Sequence, residues 1–318
     1  MPLTVPNPQA HESPRCSVLA PPSRQRSFAA PQLSVAPLAA SAGLRFWRLA
    51  GLWHLASFDA PTVAAVWSLA FAWIARVRLP PWMLALQVMA VWCVYVGDRL
   101  LDARAGLRHY NRRSHHELRD RHFFHWRHRR TLAPLAVAAA CASAAIVLRC
   151  VPPLARARDS VLAVASLAYF TRVHAAPMTD GFRRIFSKEL LVGVLFAAGC
   201  ALPVCSQAHW PALACPLAFF AALAWLNCRA IERWESGRAG VASTAVWVAM
   251  AAMAAAAAMA AFEPRDAAMI AAAAAGALLL AGLDRVRHRM TAISLRAAAD
   301  LALLTPAVLL AAAWLVRP

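Results

Sequence analysis

The sequence predicts an all-α, polytopic membrane protein built as a bundle of nine transmembrane helices. Of its 318 residues, 61% are hydrophobic, and the mean hydropathy is +0.52. A soluble protein of this length needs far more polar surface. In addition, nine apolar segments follow one another between polar connections, most of them near the roughly 20 residues that a membrane helix requires.

These apolar segments begin at residue 59 and continue almost to the end of the chain. The fourth segment is the shortest. The seventh and eighth are rich in alanine, and small side chains predict close packing between these two helices. The nine predicted spans are 59–76, 79–98, 131–149, 159–171, 187–206, 211–228, 241–261, 266–283 and 297–316.

Residues 1–44 differ in composition from the rest of the chain. They are rich in Pro, Ser, Ala and Arg, and Glu12 is their only acidic residue. No continuous apolar region precedes a cleavage site, so a secretory signal is not predicted. We expect a disordered, cytosolic N-terminal tail over 1–44, with a transit peptide as the alternative, and a nine-helix domain over 45–318.

The positive charge is unevenly distributed between the connections. The chain has 33 Lys and Arg against 15 Asp and Glu, a net charge of +18. Neither a basic domain nor a nucleic-acid motif is present, so membrane lipid rather than nucleic acid is the expected partner. Arginines concentrate in alternate connections, which predicts a cytosolic N-terminus, in the cytoplasmic membrane if the protein is bacterial. The arginine-rich connections are 99–130, 172–186, 229–240 and 284–296.

The eight cysteines are scattered, mostly within apolar segments, and no Cys-x-x-Cys pair occurs. This spacing is not typical of a disulfide framework or of a zinc site. We interpret these residues as small, buried hydrophobic side chains that contribute to packing.

Acidic residues close the second predicted helix, and the topology places this end at the cytosolic face. In "GDRLLDARAG", Asp98 and Asp102 are four residues apart and share one helix face. Two negative charges at a helix C-terminus are unfavourable, and Mg²⁺, which takes oxygen ligands, would offset that cost. The alternative is pairing with Arg99, Arg104 or loop arginines.

The sixth predicted helix ends at the same face with "LNCRAIERWE". Glu232 and Glu235 are neighbours at i and i+3, whereas Glu232 lies about 140° around the helix from Asn227. These side chains are candidates for a second metal site. The alternative is solvated charges that pair with Arg229, Arg233 and Arg238.

Basic residues surround the connection between the fourth and fifth predicted helices. The fourth ends in "YFTRVH", which contains Tyr169, and the fifth opens with the chain's single lysine, Lys188. Lysine is a compact phosphate ligand. Pairing between Lys188 and Glu189 at the membrane interface is the alternative. The basic residues of this region are Arg172, Arg183, Arg184 and Lys188.

Acidic helix ends and basic residues at one membrane face suit a magnesium-bound diphosphate, with an apolar bundle to hold a hydrophobic tail. This pattern resembles the UbiA superfamily of intramembrane prenyltransferases over nearly all of the chain after residue 50. The likeness consists of nine helices, acidic motifs closing the second and sixth, a long polar connection after the second, and Tyr-x-x-Arg ending the fourth.

The two family motifs are altered in this chain. Against the pattern NDxxDxxxD, Asp98 stands in place of Asn and Asp102 at the second Asp, while Arg99 and Gly106 replace the first and last Asp. In the second, DxxxD-like motif, aspartates are replaced by Asn227, Glu232 and Glu235.

The resemblance implies a Mg²⁺-dependent enzyme that transfers a prenyl group from a polyprenyl diphosphate to a small aromatic or other acceptor. Asp98 and Asp102 would hold one Mg²⁺, and Tyr169 would face the allylic carbon. A second Mg²⁺ would be held by Asn227, Glu232 and Glu235, and the diphosphate would be contacted by Arg172, Arg183, Arg184 and Lys188. Another UbiA-like isoprenoid activity such as cyclisation, or a non-enzymatic or transport protein on the same bundle, is the alternative.

Three further features have more than one interpretation. His122, His125 and His128 share a three-residue spacing that suits a metal, but the surrounding residues favour an amphipathic helix at the membrane interface. Asp59, two residues before a proline, is typical of a helix cap. Asp300 is expected either to pair with Arg296 or to face the cytosolic cavity, because intramembrane acids are functional suspects.

Overall fold

The computed structural model describes residues 42–110, 120–175, 188–205 and 213–315. Within these residues the regular structure is entirely helical and no strand occurs. The described residues form twelve α-helices: α1 Ala42–Leu55, α2 Asp59–Ile74, α3 Pro81–Tyr110, α4 Asp120–Arg127, α5 Arg129–Cys150, α6 Pro153–Ala175, α7 Lys188–Ala201, α8 Ala214–Glu235, α9 Ala242–Met259, α10 Pro264–Val286, α11 Ala292–Leu301 and α12 Pro306–Leu315. Short 3-10 helices cover Arg287–Arg289 and Ala302–Leu304.

The described helices indicate a multi-pass membrane protein. Five of them, α3, α5, α8, α9 and α10, are long and apolar enough to cross a membrane. Two bent pairs raise the count of spans to as many as seven: α1 with α2, bent by 91°, and α11 with α12, bent by 44°. Each of the nine predicted segments overlaps a described helix, and the count of nine spans stays a prediction.

The sharp corner between α1 and α2 was not predicted, because no helix was expected before residue 59. Residues 42–44 of the predicted tail belong to α1. The end of α1 is closed by Phe58, whose N–H donates to the Trp53 carbonyl at 3.0 Å, while Ser57 adopts a left-handed φ of 63°. This is the pattern of a Schellman cap, in which glycine usually takes the left-handed position.

The apolar core is centred between α2, α8 and α10. Trp67 and Phe220 stack with their ring centroids 3.9 Å apart, and Phe71 meets Phe220 edge-on. All three rings are fully buried. The Trp67 Nε1–H donates to the Leu303 carbonyl at 2.9 Å, so the bend after α11 is tied to this core.

Small side chains bring α9 close to α10, which confirms the packing predicted for the two alanine-rich segments. The buried face of α9 consists of Ala245, Ala249, Ala252 and Ala256. A similarly close approach joins α7 to α8, because a Cβ at Gly193 would lie 2.7 Å from the Trp225 backbone nitrogen. Any larger side chain at position 193 would therefore push α7 away from α8.

The outer helices have little contact with the core. No residue of α5 is buried, and large apolar side chains such as Val137, Leu148 and Leu167 are exposed on α5 and α6. In a membrane protein such surfaces face lipid. Among the described helices, buried polar side chains occur on α1, α2, α3, α4, α8, α10 and α11.

Candidate functional site

A buried network of polar side chains surrounds the corner between α1 and α2. His54, at the end of α1, directs Nδ1 towards Asp59 Oδ2 at 2.8 Å and Asp300 Oδ2 at 2.9 Å. His54 and Asp59 are 2% and 3% exposed. One imidazole nitrogen therefore meets two carboxylates from helices that lie far apart in the sequence.

Arg99 of α3 supplies the positive charge of this network. Its Nη2–H donates to Asp59 Oδ2 at 2.9 Å, and its Nη1–H donates to the His54 carbonyl at 2.6 Å and to Ser57 Oγ at 2.9 Å. The guanidinium thus binds both the end of α1 and the start of α2. Ser57 Oγ also lies 3.0 Å from Nε2 of the buried His125, which joins α4 to the corner.

Two polar contacts connect α8 to α11. Asn227 Nδ2–H donates to Asp300 Oδ1 at 3.1 Å, and Glu235 forms an ion pair with Arg296. The contact later in α8, at Glu235, is made to the earlier residue of α11, Arg296. The two helices therefore run antiparallel. The eight residues from Asn227 to Glu235 place these contacts roughly 12 Å apart along the helix axis.

A small cavity lies against this network, between α2, α3, α7, α8 and α11. Its volume is about 40 Å³, which is room for roughly three water molecules. The wall is apolar on the side of α2 and α7, with Val63 and Phe196 among its residues. The polar side chains of the wall are Asp59, Tyr95, Asn227, Cys228 and Asp300.

Three buried polar atoms next to this cavity have no hydrogen-bond partner among the described residues. They are Asp59 Oδ1, Asn227 Oδ1 and His54 Nε2. Burying such a group without a partner costs on the order of 1–3 kcal/mol. Because Asp59 and Asn227 line the cavity, their acceptor oxygens favour a hydrogen-bond donor or a cation there.

The same network contains a candidate set of metal ligands. His54, Asp59 and Asp300 each offer one ligand atom, and these atoms lie within 4.8 Å of one another. Within the part of the chain that the structure describes, no other group of three His, Cys, Asp or Glu residues comes together in this way.

The predicted acidic pair lies on α3, with Asp98 about one turn and Asp102 about two turns further along than Tyr95. Asp98 and Asp102 are half-buried, and both take part in interactions with other groups. Tyr169 of α6 lies within electrostatic range of Asp98, Asp102 and Glu189. The structure therefore brings α3, α6 and the start of α7 together around these predicted residues.

Cys228 connects this acidic region with the cavity. It lines the cavity, and it lies within electrostatic range of Lys188, Glu189 and Asp300. Tyr169 is also within electrostatic range of Cys228. Cys228 is therefore close both to Asp300 of the buried network and to Tyr169, Lys188 and Glu189 of α6 and α7.

The three residues predicted to hold a second metal ion are not brought to one point. Asn227 faces Asp300, whereas Glu235 binds Arg296 roughly two turns away. Glu232 pairs with Arg238 at 3.1 Å, and its side chain is 40% exposed. Glu232 shows the pairing with Arg238 that the sequence left open, whereas Glu235 pairs with Arg296, which was not among the expected partners.

The predicted diphosphate ligands are only partly described. Lys188 is the first residue of α7 and is exposed. Arg172 lies in α6, where the structure describes its backbone but not its side chain. Arg183 and Arg184 lie outside the described residues.

Two expectations from the sequence change with the structure. The expectation that Asp59 caps α2 is wrong, because its carboxylate pairs with His54 and Arg99 and the N-cap position, Phe58, forms no side-chain cap. Asp300 lines the cavity and Arg296 pairs with Glu235, while the cytosolic position expected for that cavity stays a prediction.

Sequence reasoning missed His54, Ser57 and Tyr95 altogether. The available signal was His54 itself, an ionisable residue inside the apolar stretch "LAGLWHLASF". Comparisons of the chain with known protein families, with curated proteins and with solved structures find no match. The chemistry of the site therefore has to be argued from its own residues.

Proposed function

We propose that this protein is a Mg²⁺-dependent intramembrane transferase that moves a prenyl group from a polyprenyl diphosphate to a small aromatic or other acceptor. The observation that supports the proposal is the grouping of Asp98, Asp102, Glu189 and the cavity residue Cys228 within electrostatic range of Tyr169. These groups come from α3, α6, α7 and α8, and the likeness in sequence to the UbiA superfamily had selected three of them for this chemistry.

The fit of Mg²⁺ is better for one predicted ligand set than for the other. Asp98 and Asp102 are one turn apart on α3, and Mg²⁺ commonly takes one or two carboxylates and fills its remaining positions with water and substrate phosphates. Asn227, Glu232 and Glu235 offer no common point, so we assign them no shared ion. The proposed ligands are therefore Asp98 and Asp102.

The proposed reaction is a substitution at the allylic carbon of the donor. The carbon–oxygen bond to the diphosphate breaks and the diphosphate leaves with the electron pair, while the acceptor forms a bond to the same carbon and gives up a proton. Bound Mg²⁺ would stabilise the negative charge of the departing diphosphate. Lys188 and Arg172 would bind the same oxygens, and the Tyr169 ring would lie beside the allylic cation.

The prenyl chain needs a place outside the described cavity. A volume of about 40 Å³ holds only a few water molecules. The proposal places the chain along α6, where the apolar side chains of Val164 and Leu167 precede Tyr169 and are exposed. In the proposed orientation the diphosphate end faces the cytosol.

The test uses the full-length protein purified in detergent, with Mg²⁺ and radiolabelled geranyl, farnesyl or longer polyprenyl diphosphates. We expect Mg²⁺-dependent diphosphate binding and release in the wild type, and at least a tenfold loss in the double variant Asp98→Asn/Asp102→Asn. Glu232→Gln is the matched control and should behave as the wild type, since Glu232 pairs with Arg238.

Two results would contradict the proposal. One is the absence of both binding and turnover in the wild type with every chain length tested. The other is diphosphate binding that is unchanged in Asp98→Asn/Asp102→Asn, which would place the diphosphate elsewhere on the protein.

A further inference from the structure

We propose that His54, Asp59 and Asp300 form a second metal site, which binds a divalent first-row transition metal at the wall of the cavity. The site lies on α1, α2 and α11 and uses none of the proposed magnesium ligands. The proposal of this metal site therefore does not depend on whether the protein transfers prenyl groups.

The distances between the ligand atoms suit a single ion. His54 Nδ1 lies 2.8 Å from Asp59 Oδ2 and 2.9 Å from Asp300 Oδ2. Two ligands that are each about 2.1 Å from a metal, at right angles, are about 3.0 Å apart. A metal ion would replace the proton that now bridges the imidazole and the carboxylates, and the three ligand atoms all lie within 4.8 Å of one another.

Two buried oxygen atoms without a hydrogen-bond partner among the described residues lie beside these ligands, next to the cavity. Asp59 and Asn227 are 3% and 6% exposed, both line the cavity, and Oδ1 of each has no hydrogen-bond partner among the described residues. The cavity of about 40 Å³ has room for roughly three waters to complete a coordination shell. A cation would satisfy both acceptor oxygens, whereas an anion would be repelled by them.

The charge of the network also favours a cation. Asp59 and Asp300 carry two negative charges, and Arg99 is the one guanidinium bonded to them in the described network. With a neutral His54 these groups leave a net charge of −1, which attracts a cation, and a bound divalent ion would bring the sum to +1. Arg99 donates to Asp59 Oδ2, the oxygen next to His54 Nδ1, so the ion would share Oδ2 with Arg99 or bind Oδ1, which has no hydrogen-bond partner among the described residues.

Neighbouring groups hold the ligands in position. Arg99 fixes the Asp59 carboxylate, and Asn227 Nδ2–H fixes Asp300 Oδ1 at 3.1 Å. Hydrogen bonds of this kind orient metal ligands, and their loss typically lowers metal affinity by about 10–100-fold. The ligand set is one imidazole with carboxylate oxygens, which suits Mn²⁺, Fe²⁺, Co²⁺ or Zn²⁺ better than Mg²⁺.

The test measures metal binding by the full-length, untagged protein in detergent. After chelation, the protein is equilibrated by dialysis against Co²⁺ and, separately, Zn²⁺ and Mn²⁺; bound metal is counted by mass spectrometry, and the visible absorption of Co²⁺ reports its ligands. We expect one tightly bound ion per chain. His54→Gln and Asp300→Asn should each weaken its binding by at least a hundredfold.

Control variants separate this site from other histidines and acids in the chain. Asp284→Asn changes a buried carboxylate of another cluster, and Asp98→Asn/Asp102→Asn removes the proposed magnesium ligands; both should keep the ion. Asn227→Asp removes the N–H that fixes Asp300 Oδ1 and should weaken Co²⁺ binding by about 10–100-fold, in a variant whose helical circular dichroism matches that of the wild type.

The proposal is overturned if the wild type binds no stoichiometric ion. It is also overturned if His54→Gln and Asp300→Asn, when folded, retain the ion as the wild type does. Loss of the ion in Asp98→Asn/Asp102→Asn alone would contradict the separate location proposed here, and would leave the magnesium proposal standing.

Discussion

Two arginine–carboxylate pairs in this protein have nearly the same geometry and very different surroundings. Arg99 and Asp59 meet at 2.9 Å with side chains that are 6% and 4% exposed, whereas Arg238 and Glu232 meet at 3.1 Å with side chains 68% and 40% exposed. The first pair joins α2 to α3; the second joins residues six positions apart. Both pairs carry the same charges, so a difference in their contribution to stability reports the effect of burial. Only the buried pair has lost the water that would otherwise solvate its charges.

The largest expected effect follows from removing one partner of the buried pair. Asp59→Asn leaves the Arg99 guanidinium without its counter-charge, and breaking a buried pair in this way costs about 3–5 kcal/mol. We expect a corresponding drop in the free energy of unfolding, measured by chemical denaturation in mixed micelles. A loss below about 1 kcal/mol, as for an exposed pair, would contradict the burial of this network.

An intermediate case is Asp284 of α10, which anchors the turn between α8 and α9. Its carboxylate accepts from Trp234 Nε1–H at 2.7 Å, from the Ala242 N–H at 2.8 Å and from Arg287 at 2.5 Å. Asp284→Asn keeps the size of the side chain and removes its charge, so we expect a loss of about 1–3 kcal/mol in the free energy of unfolding.

The loss measured for Asp284→Asn shows whether partial exposure to solvent weakens an ion pair. The Arg287 side chain is 22% exposed, so part of the lost interaction is replaced by water. A loss equal to that of Asp59→Asn, in the same assay, would mean that solvent access makes no difference to these pairs.

The smallest effect is expected at the exposed pair. Glu232→Gln removes an interaction with Arg238 that water and salt already weaken, and such pairs contribute about 0–1 kcal/mol. The free energy of unfolding should change little, and the difference from wild type should shrink further in about 1 M salt. A loss above about 2 kcal/mol would place Glu232 in a buried contact and remove the contrast.

Hydropathy located the nine apolar segments, but it missed α1 and the bend between α11 and α12. The first predicted span and α2 both begin at residue 59, and every predicted segment overlaps a helix. The predicted span 297–316 is interrupted before Pro306, whose ring removes a backbone donor and disrupts a continuous helix. α1 was missed because Arg45, Arg48 and His54 interrupt its apolar pattern.

The candidate site was predictable only where it is local in the sequence. Asp98 and Asp102 are one helix turn apart, and their spacing alone placed them on one face. The partners in the buried network are 40 residues apart for Arg99 and Asp59, and 246 for His54 and Asp300. Helical periodicity carries no information on such distant pairs, so Arg99 was considered only as a neighbour of Asp98 and Asp102 and as a substitution in an acidic motif, not as a partner of Asp59.

The central claim is that one buried network joins the α1–α2 corner to α3, and a double-mutant cycle on Asp59 and Arg99 tests it most directly. Asp59→Asn, Arg99→Gln and the double variant are compared by their free energies of unfolding in mixed micelles. We expect the double variant to lose at least about 2 kcal/mol less than the sum of the single losses, because it leaves no unpaired buried charge. Losses that add within about 0.5 kcal/mol would show that the two side chains do not interact.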